Sequence, residues 1–178
     1  MEGMTVIGIM TIVLVMVTQI FGVSQEVFVK QTARAENETG AVLATRLISD
    51  MTRGSSAVES SRTISGTAYT TSSTVLVLKM PSINSSGNVI ASTYDYVAFY
   101  RDGTDATKIW SDTEAAAGSR RIPGKKLVTA GNLIFTFRYD DVDPTKATRI
   151  QVYLVNRRTA RNTTITSRSW TAITLRNR

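Results

Sequence analysis

The stretch that decides the fold is MTVIGIMTIVLVMVTQIFGV, which occupies residues 4–23. It carries no charged residue, and twenty helical residues reach about 30 Å, the thickness of a bilayer hydrocarbon core. A cleaved secretory signal has a basic region before a shorter apolar stretch and a small-residue cleavage site after it. Neither flanks this segment, so we expect a membrane-spanning helix that stays attached to the protein.

The apolar segment runs without a break into an amphipathic segment, residues 24–53. Ala44, Leu47, Ile48 and Met51 recur at the spacing of one helical face, and charged residues occupy other positions. A glycine follows Arg53, as is typical at the end of a helix. These patterns predict one helix over residues 4–53 whose second half packs on a sheet.

Residues 54–178 have the character of a β-rich globular head. Runs of β-branched and aromatic residues alternate with turn signals. The predicted strands cover residues 74–80, 94–101, 108–111, 133–139, 149–156 and 170–175, and residues 55–73 are interpreted as a weak strand or a surface loop. Short strands in hairpin order predict an antiparallel β-sheet with the helix packed across it, which is an α+β fold.

Two of these strands predict which residues form the core. Alternation in the first places Leu133, Phe135, Phe137 and Tyr139 on one apolar face. In the next strand Ile150, Val152 and Leu154 share a face. Tyr153 and Trp170 are also assigned to the core.

The composition excludes much catalytic chemistry. The chain contains no cysteine and no histidine, so it has no thiolate nucleophile, no Ser-His triad and no structural zinc site of the usual type. Neither a nucleophile elbow nor a phosphate-binding glycine loop occurs. We therefore expect no enzyme activity and no cofactor.

Charge is distributed unevenly along the chain. Residues 1–118 hold eight Lys and Arg against eleven Asp and Glu, whereas residues 119–178 hold thirteen against three, so the net charge of +7 divides into −3 and +10. A basic region of this kind is typical of a surface that contacts nucleic acid, anionic lipid or an acidic protein, or of an ordinary solvated surface. The candidate ligand or DNA contacts are Arg149, Arg157, Arg158, Arg161 and Arg168, joined by Arg120, Arg121, Lys125, Lys126, Arg176 and Arg178.

Asp140, Asp141 and Asp143 form an acidic turn after the strand that ends at Tyr139. Clustered carboxylates in a loop are ligands for calcium, but the glycine spacing of an EF-hand loop is missing. The alternative interpretation is a solvated acidic turn, and no metal is assigned.

Small or weakly polar residues interrupt the apolar segment. Small residues allow helices to approach closely in a membrane, and a glutamine side chain can hydrogen-bond to a neighbouring helix. They indicate packing against other helices, although a simple anchor with ordinary small residues fits equally well. The helix-packing candidates are Gly8, Thr11, Thr18, Gln19 and Gly22.

The N-terminal residues Gly3-Met4-Thr5-Val6-Ile7 resemble the processing site of type IV pilin-like proteins. The resemblance extends over nearly the whole chain to minor pilins and to minor pseudopilins of type II secretion, of the W- and J-like group. The other similar phrases are Arg46-Leu47-Ile48-Ser49-Asp50-Met51-Thr52-Arg53, Asn132-Leu133-Ile134-Phe135-Thr136-Phe137-Arg138-Tyr139 and Leu175-Arg176-Asn177.

The resemblance implies that a prepilin peptidase cleaves after Gly3, which leaves Met4 as the mature N-terminus and residues 1–3 as the remnant of a leader. Basic residues follow the apolar segment at Lys30 and none precedes it, which opposes the expected orientation. This asymmetry indicates a leader that begins upstream. The processing residues are Gly3, Met4 and Thr5.

One position departs from the family pattern. The fifth mature residue is Gly8, where most members carry a glutamate thought to pair with the N-terminal amine of a neighbouring subunit. Glycine cannot form that pair. Within the family, a subunit that lacks the glutamate resembles one placed at the filament tip.

The leading hypothesis is therefore a structural subunit that is held in the inner membrane and then assembled into, or at the tip of, an extracytoplasmic filament. Its partners would be other pilins or pseudopilins. Two alternatives remain open: a receptor subunit of the same filament that binds DNA or a surface, and a membrane-anchored extracytoplasmic binding domain unrelated to filaments.

Overall fold

The computed structural model describes residues 2–175 of the chain. Its first element is one helix of 52 residues, α1, from Glu2 to Arg53. The helix ends at the predicted residue, where the Gly54 amide donates to the carbonyl of Asp50 over 3.2 Å. The apolar first half is long enough to span a membrane, and none of its described side chains is buried against the rest of the chain.

Within residues 2–175, ten β-strands follow the helix. A 3-10 turn, Pro144–Lys146, separates the eighth strand from the ninth. The strands are β1 Ala57–Val58, β2 Ser61–Ile64, β3 Thr67–Thr70, β4 Val75–Ile83, β5 Val89–Arg101, β6 Ile109–Glu114, β7 Gly124–Thr129, β8 Asn132–Tyr139, β9 Arg149–Ala160 and β10 Thr163–Thr174.

The strands form three antiparallel sheets. One has five strands in the order β1-β4-β5-β6-β7, the second has three in the order β10-β9-β8, and the third is the hairpin β2-β3. The second half of α1 packs mainly on β10 and β9. Its side chains join a core that both larger sheets share. The α+β fold predicted from the sequence, a long N-terminal helix on an antiparallel sheet head, is confirmed.

The helix face that meets the sheet is made largely of small and polar side chains. Ala41, Ala44 and Ile48 are buried in the core, and Met51 packs against them. Asn37 is buried as well, and its Nδ2 donates to Ser167 Oγ over 3.0 Å. Small side chains allow a close approach between helix and sheet, so this face holds the head against α1 without a wide apolar stripe.

The apolar run of β4 is buried on both sides of its sheet. Leu76 and Leu78 enter the main core, whereas Val77 faces a second cluster with Ile64 and Tyr69 of the β2–β3 hairpin. The sequence of a strand that is covered on both faces is a continuous apolar run rather than an alternation of apolar and polar residues. The segment interpreted as a weak strand or loop, residues 55–73, thus supplies β1 and the hairpin that covers the outside of the five-stranded sheet.

Some strands are longer than predicted, β7 was not predicted, and residues 55–73 hold three short strands where one weak strand or a loop was expected. β9 and β10 each have twelve residues and pair in continuous register from Arg149 opposite Thr174 to Ala160 opposite Thr163. β7 has five exposed or half-buried residues and only one buried residue, so it carries no apolar alternation. Backbone pairing with a neighbouring strand, rather than apolar pattern, defines these segments.

The core assignment of Leu133 is wrong. Its side chain is 43 % exposed, whereas Phe135 and Phe137 are buried and meet edge to face. The pairing with β9 shifts between Asn132 and Ile134, so Leu133 is the extra residue of a bulge. A bulge breaks strict alternation and moves one side chain out of the buried row. The expected face of Ile150, Val152 and Leu154 is confirmed, since all three are fully buried.

We expect Gly40→Ala to stabilise the protein by about 1 kcal/mol, because alanine is the better helix former by that amount. A Cβ atom at Gly40 would lie 3.8 Å from Asn156 Nδ2 and from Thr129 Oγ1, which is ordinary van der Waals contact. The measurement is thermal unfolding of the full chain in detergent micelles, followed by circular dichroism.

Gly131→Ala is the matched control. Its φ is +75°, and a Cβ there would lie 2.9 Å from the carbonyl oxygen of Arg157. Alanine is strained in this conformation and meets backbone that cannot give way, so a loss of at least about 1 kcal/mol is expected. Equal effects of the two substitutions would contradict this account of the two glycines.

Candidate functional site

The processing residues lie in the first turn of α1. A Cβ atom at Gly3 would meet nothing within 4 Å apart from its own turn of helix, and the side chain of Met4 is exposed. The helix is continuous through residues 3–5. The resemblance phrase at the other end of the chain ends in Arg176 and Asn177, which lie outside the described residues, as does Arg178.

The helix-packing candidates share one side of α1. At about 100° per residue they fall within an arc of about 100°. Thr11 and Thr18 donate their hydroxyls to helix carbonyls, Thr11 to Ile7 over 2.8 Å and Thr18 to Val15 over 2.8 Å. Their polar groups are therefore satisfied inside the helix, which suits an apolar environment. Gly8, Gln19 and Gly22 complete this side, the small-residue stripe.

The five candidate arginines do not form one surface. Arg158 lies on the helix side of β9 and forms an ion pair with Glu36 of α1. Arg161 occupies the turn between β9 and β10 with a φ of 51°. By strand alternation Arg149, Arg157 and Arg168 face away from the helix, on the solvent side of the three-stranded sheet.

The solvent side of β8, β9 and β10, which we name the outer face, also carries the aromatic residues assigned to the core. Trp170 is 72 % exposed and stands directly opposite Tyr153 in the β9–β10 register. The two line a shallow groove of about 370 Å³ with Ile134, Thr136, Arg138 and Gln151. The core assignment is thus wrong for Trp170, and Tyr153 is half-buried on the same face.

A signal for this placement exists in the sequence. In β10 the buried residues Ser167 and Ile173 have odd numbers, and Leu175 continues that row. Trp170 and Arg168 belong to the opposite, even-numbered row. Extending the predicted strand N-terminally through its threonines and serines would have placed the tryptophan on the solvent side.

The acidic turn uses its carboxylates locally. Asp140 accepts hydrogen bonds from the amide and hydroxyl of Thr148, and Asp143 accepts both from Thr145. The Thr148 hydroxyl lowers the pKa of Asp140, and that of Thr145 lowers the pKa of Asp143. Asp141 accepts from the amide of Asp143 over 2.8 Å. In residues 2–175 no group of three or more acidic, histidine or cysteine side chains is arranged to hold a metal ion.

Asp95 on β5 is a fully buried carboxylate of the head that sequence reasoning did not single out. It accepts hydrogen bonds from Ser82, the Ala116 amide and Ser119 over 2.7–2.8 Å, and it pairs with Arg121. Burial raises the pKa of Asp95, but these donors together outweigh burial, so the pKa is lowered. The cluster ties the loop after β6 to β4 and β5, which is a structural role.

No family model, curated protein or solved structure matches this chain. The fold therefore defines a class of protein and no more. In this class one long helix is apolar enough in its first half to span a membrane, and its second half packs on a head of antiparallel sheets. The likeness of residues 3–7 to a pilin processing site remains a prediction.

Proposed function

We propose that this protein is a minor pilin or pseudopilin, a structural subunit of a type IV pilus-like filament. Prepilin peptidase would process it after Gly3 while α1 holds it in the inner membrane, and the subunit would then join an extracytoplasmic filament. The observation that carries the proposal is the division of α1. One continuous helix has its described side chains exposed over the apolar half and is packed against the head over its other half.

The apolar half of α1 has a large surface to bury and no partner within residues 2–175. Its side chains from Val6 to Val23 are exposed to an extent that no soluble monomer sustains. A bilayer covers this surface before assembly, and neighbouring helices would cover it in a filament. The small-residue stripe favours helix–helix contact, because small residues let helix backbones approach closely.

Gly8 supports a position at the filament tip. A carboxylate at this position would be a buried charge that needs a neighbouring amine. Gly8 has no side chain to pair, and its Cβ position is open. A subunit at the tip would have no preceding amine to satisfy, so the glycine avoids an unpaired charge there.

Filaments sheared from the native host test the proposal. Mass spectrometry is expected to find this chain in the filament fraction with Met4 as its first residue. Immunogold labelling is expected at filament ends, in few copies. Gly8→Glu should spread some label along the shaft, because it restores a partner for the amine of a neighbouring subunit.

Gly22→Glu is the matched control, since it adds the same charge to the same helix side away from the fifth mature position. It should lower filament incorporation without spreading the label. A chain that stays in the membrane fraction with its N-terminus unprocessed would reject the filament proposal in favour of a membrane-anchored binding domain. Dense labelling along the shaft of the unmodified protein would reject the tip position alone.

A further inference from the structure

The outer face of β8–β10 places an exposed tryptophan and a half-buried tyrosine beside cationic side chains on a flat sheet. Trp170 and Tyr153 are cross-strand partners, which places their Cβ atoms about 5 Å apart on the same side of the sheet. Arg138 lines the same groove on β8. Arg168 lies two residues before Trp170 on β10, and Arg149 lies four residues before Tyr153 on β9. All three arginines are exposed.

The charge of this face has one sign. The strand residues of the outer face, all of which the structure describes, include no aspartate or glutamate, and none occurs anywhere in residues 144–178. The acids of the turn at residues 140–143 accept hydrogen bonds from their own loop. The face therefore complements a polyanion, and the exposed ring of Trp170 beside the half-buried ring of Tyr153 suits a ligand with flat apolar surfaces.

We propose that the outer face binds single-stranded nucleic acid. Successive bases stack on Trp170 and Tyr153, while Arg138, Arg149 and Arg168 contact the phosphates. Every base has a π face, so stacking on exposed aromatic rings binds single strands with little sequence preference, and arginines beside the rings track the backbone. The inference rests on the geometry of the head and does not depend on the filament proposal.

Two other anionic partners fit this face less well. A duplex keeps its bases paired and stacked inside, so it offers phosphates to the arginines and nothing to the rings. A bilayer that holds the apolar half of α1 would lie at the far end of the head from Trp170, so it does not reach the outer face. The β9–β10 turn lies beside Phe28 and Val29, near the membrane end of the head, and Trp170 lies eight residues along β10 from Asn162, about 27 Å further on.

The test measures binding of a fluorescently labelled (dT)20 oligonucleotide to the full chain in neutral detergent micelles, by anisotropy across a range of NaCl concentrations. Trp170→Ala is expected to weaken binding about tenfold to a hundredfold, and Trp170→Phe should retain most of the affinity, because a ring remains. Replacing Arg138, Arg149 and Arg168 together by alanine should flatten the slope of log K against log salt by about 2.

Tryptophan fluorescence reports contact with the ring directly. The chain has two tryptophans, and Trp110 is held by a hydrogen bond of its Nε1 to Asp102 over 2.9 Å. In a Trp110→Phe variant the remaining signal comes from Trp170 and should be quenched by (dT)20. Arg158→Ala is the matched cationic control: this arginine lies on the helix side, and its loss should leave the affinity nearly unchanged.

Each other outcome would overturn the proposal. Absence of (dT)20 binding at low salt would contradict the proposal. Binding that Trp170→Ala does not weaken would also contradict it, because the oligonucleotide would then be held by charge attraction elsewhere on the head. Equal affinity for duplex DNA of the same length would exclude base stacking. Quenching of Trp170 by polygalacturonate at lower concentration than by (dT)20 would assign the face to an acidic sugar polymer instead.

Discussion

Asp95→Ala is expected to lower the free energy of unfolding by about 3–5 kcal/mol, the usual cost of breaking a buried ion pair from one side. Asp95 is fully buried, and its two carboxylate oxygens accept four hydrogen bonds. Alanine leaves the guanidinium of Arg121, which is mostly buried, with only the carbonyl of Pro81. Because a domain of this size is stable by about 5–15 kcal/mol, the variant loses a large fraction of its stability and should melt at a clearly lower temperature.

The same cluster predicts a pH dependence. The folded-state pKa of Asp95 is lowered, so it lies below the unfolded value of about 3.9. Ionised Asp95 therefore stabilises the fold above that pH, and this stabilisation is lost as the pH falls through the folded-state pKa. Urea unfolding between about pH 6 and pH 3 should show a shallower loss in Asp95→Asn than in the unmodified protein.

Asp50→Ala provides the control for both measurements. Asp50 is exposed on α1 and approaches Arg46 only to 3.9 Å. Surface pairs of this kind contribute little, so its removal should leave the unfolding free energy and its pH dependence nearly unchanged. A small effect of Asp95→Ala, comparable with that of Asp50→Ala, would mean that the loop after β6 is not tied to the sheet by this carboxylate.

Deletion of residues 1–26 is expected to change the protein from one that requires detergent into a soluble, folded head. The side chains described in this segment are exposed apart from the half-buried Glu26, and contacts with the head begin near Phe28, beside Arg158 and Ala160. Removing a segment in which none of the described side chains is buried costs the head little packing. The melting temperature of the shortened chain in buffer should match that of the full chain in micelles within a few degrees.

A longer deletion, residues 1–41, tests whether the second half of α1 belongs to the head. It removes Ala33, Asn37 and Ala41, which are buried against β9 and β10. A loss of several kcal/mol of packing and hydrogen bonding should lower the melting temperature by roughly 10–20 °C or prevent folding. Aggregation of both deletions without native circular dichroism would contradict the division of the helix at this point.

The parts of the fold that depend on local pattern were predictable from the sequence. The end of α1 follows from Arg53 and the glycine after it, and the buried row of Ile150, Val152 and Leu154 follows from simple alternation. The bulge at Leu133 was not predictable, because the register shift arises from pairing with β9 and leaves no mark in the apolar pattern. β7 was missed for a related reason, since backbone pairing with β6 defines it.

The surfaces were predictable only in part. The five residues of the small-residue stripe are close in sequence, so helical periodicity alone places them together. The arginines of β9 and β10 separate onto two sides because Arg157 and Arg158 are consecutive in one strand. The Asp95 cluster joins residues from two strands and a loop, and its four donors span residues 82–121. No local sequence pattern indicates that these distant residues form a hydrogen-bond cluster.

The unbroken course of α1 has a mechanical consequence. A helix of 52 residues is a rod about 78 Å long, and it contains no linker between the part that suits a bilayer and the part to which the head is fixed. Pulling on the head therefore draws the apolar segment along the same axis, and each residue withdrawn raises the head by about 1.5 Å. The head has no tether that would let it swing independently, so a force applied at either end is transmitted to the other through backbone hydrogen bonds in series.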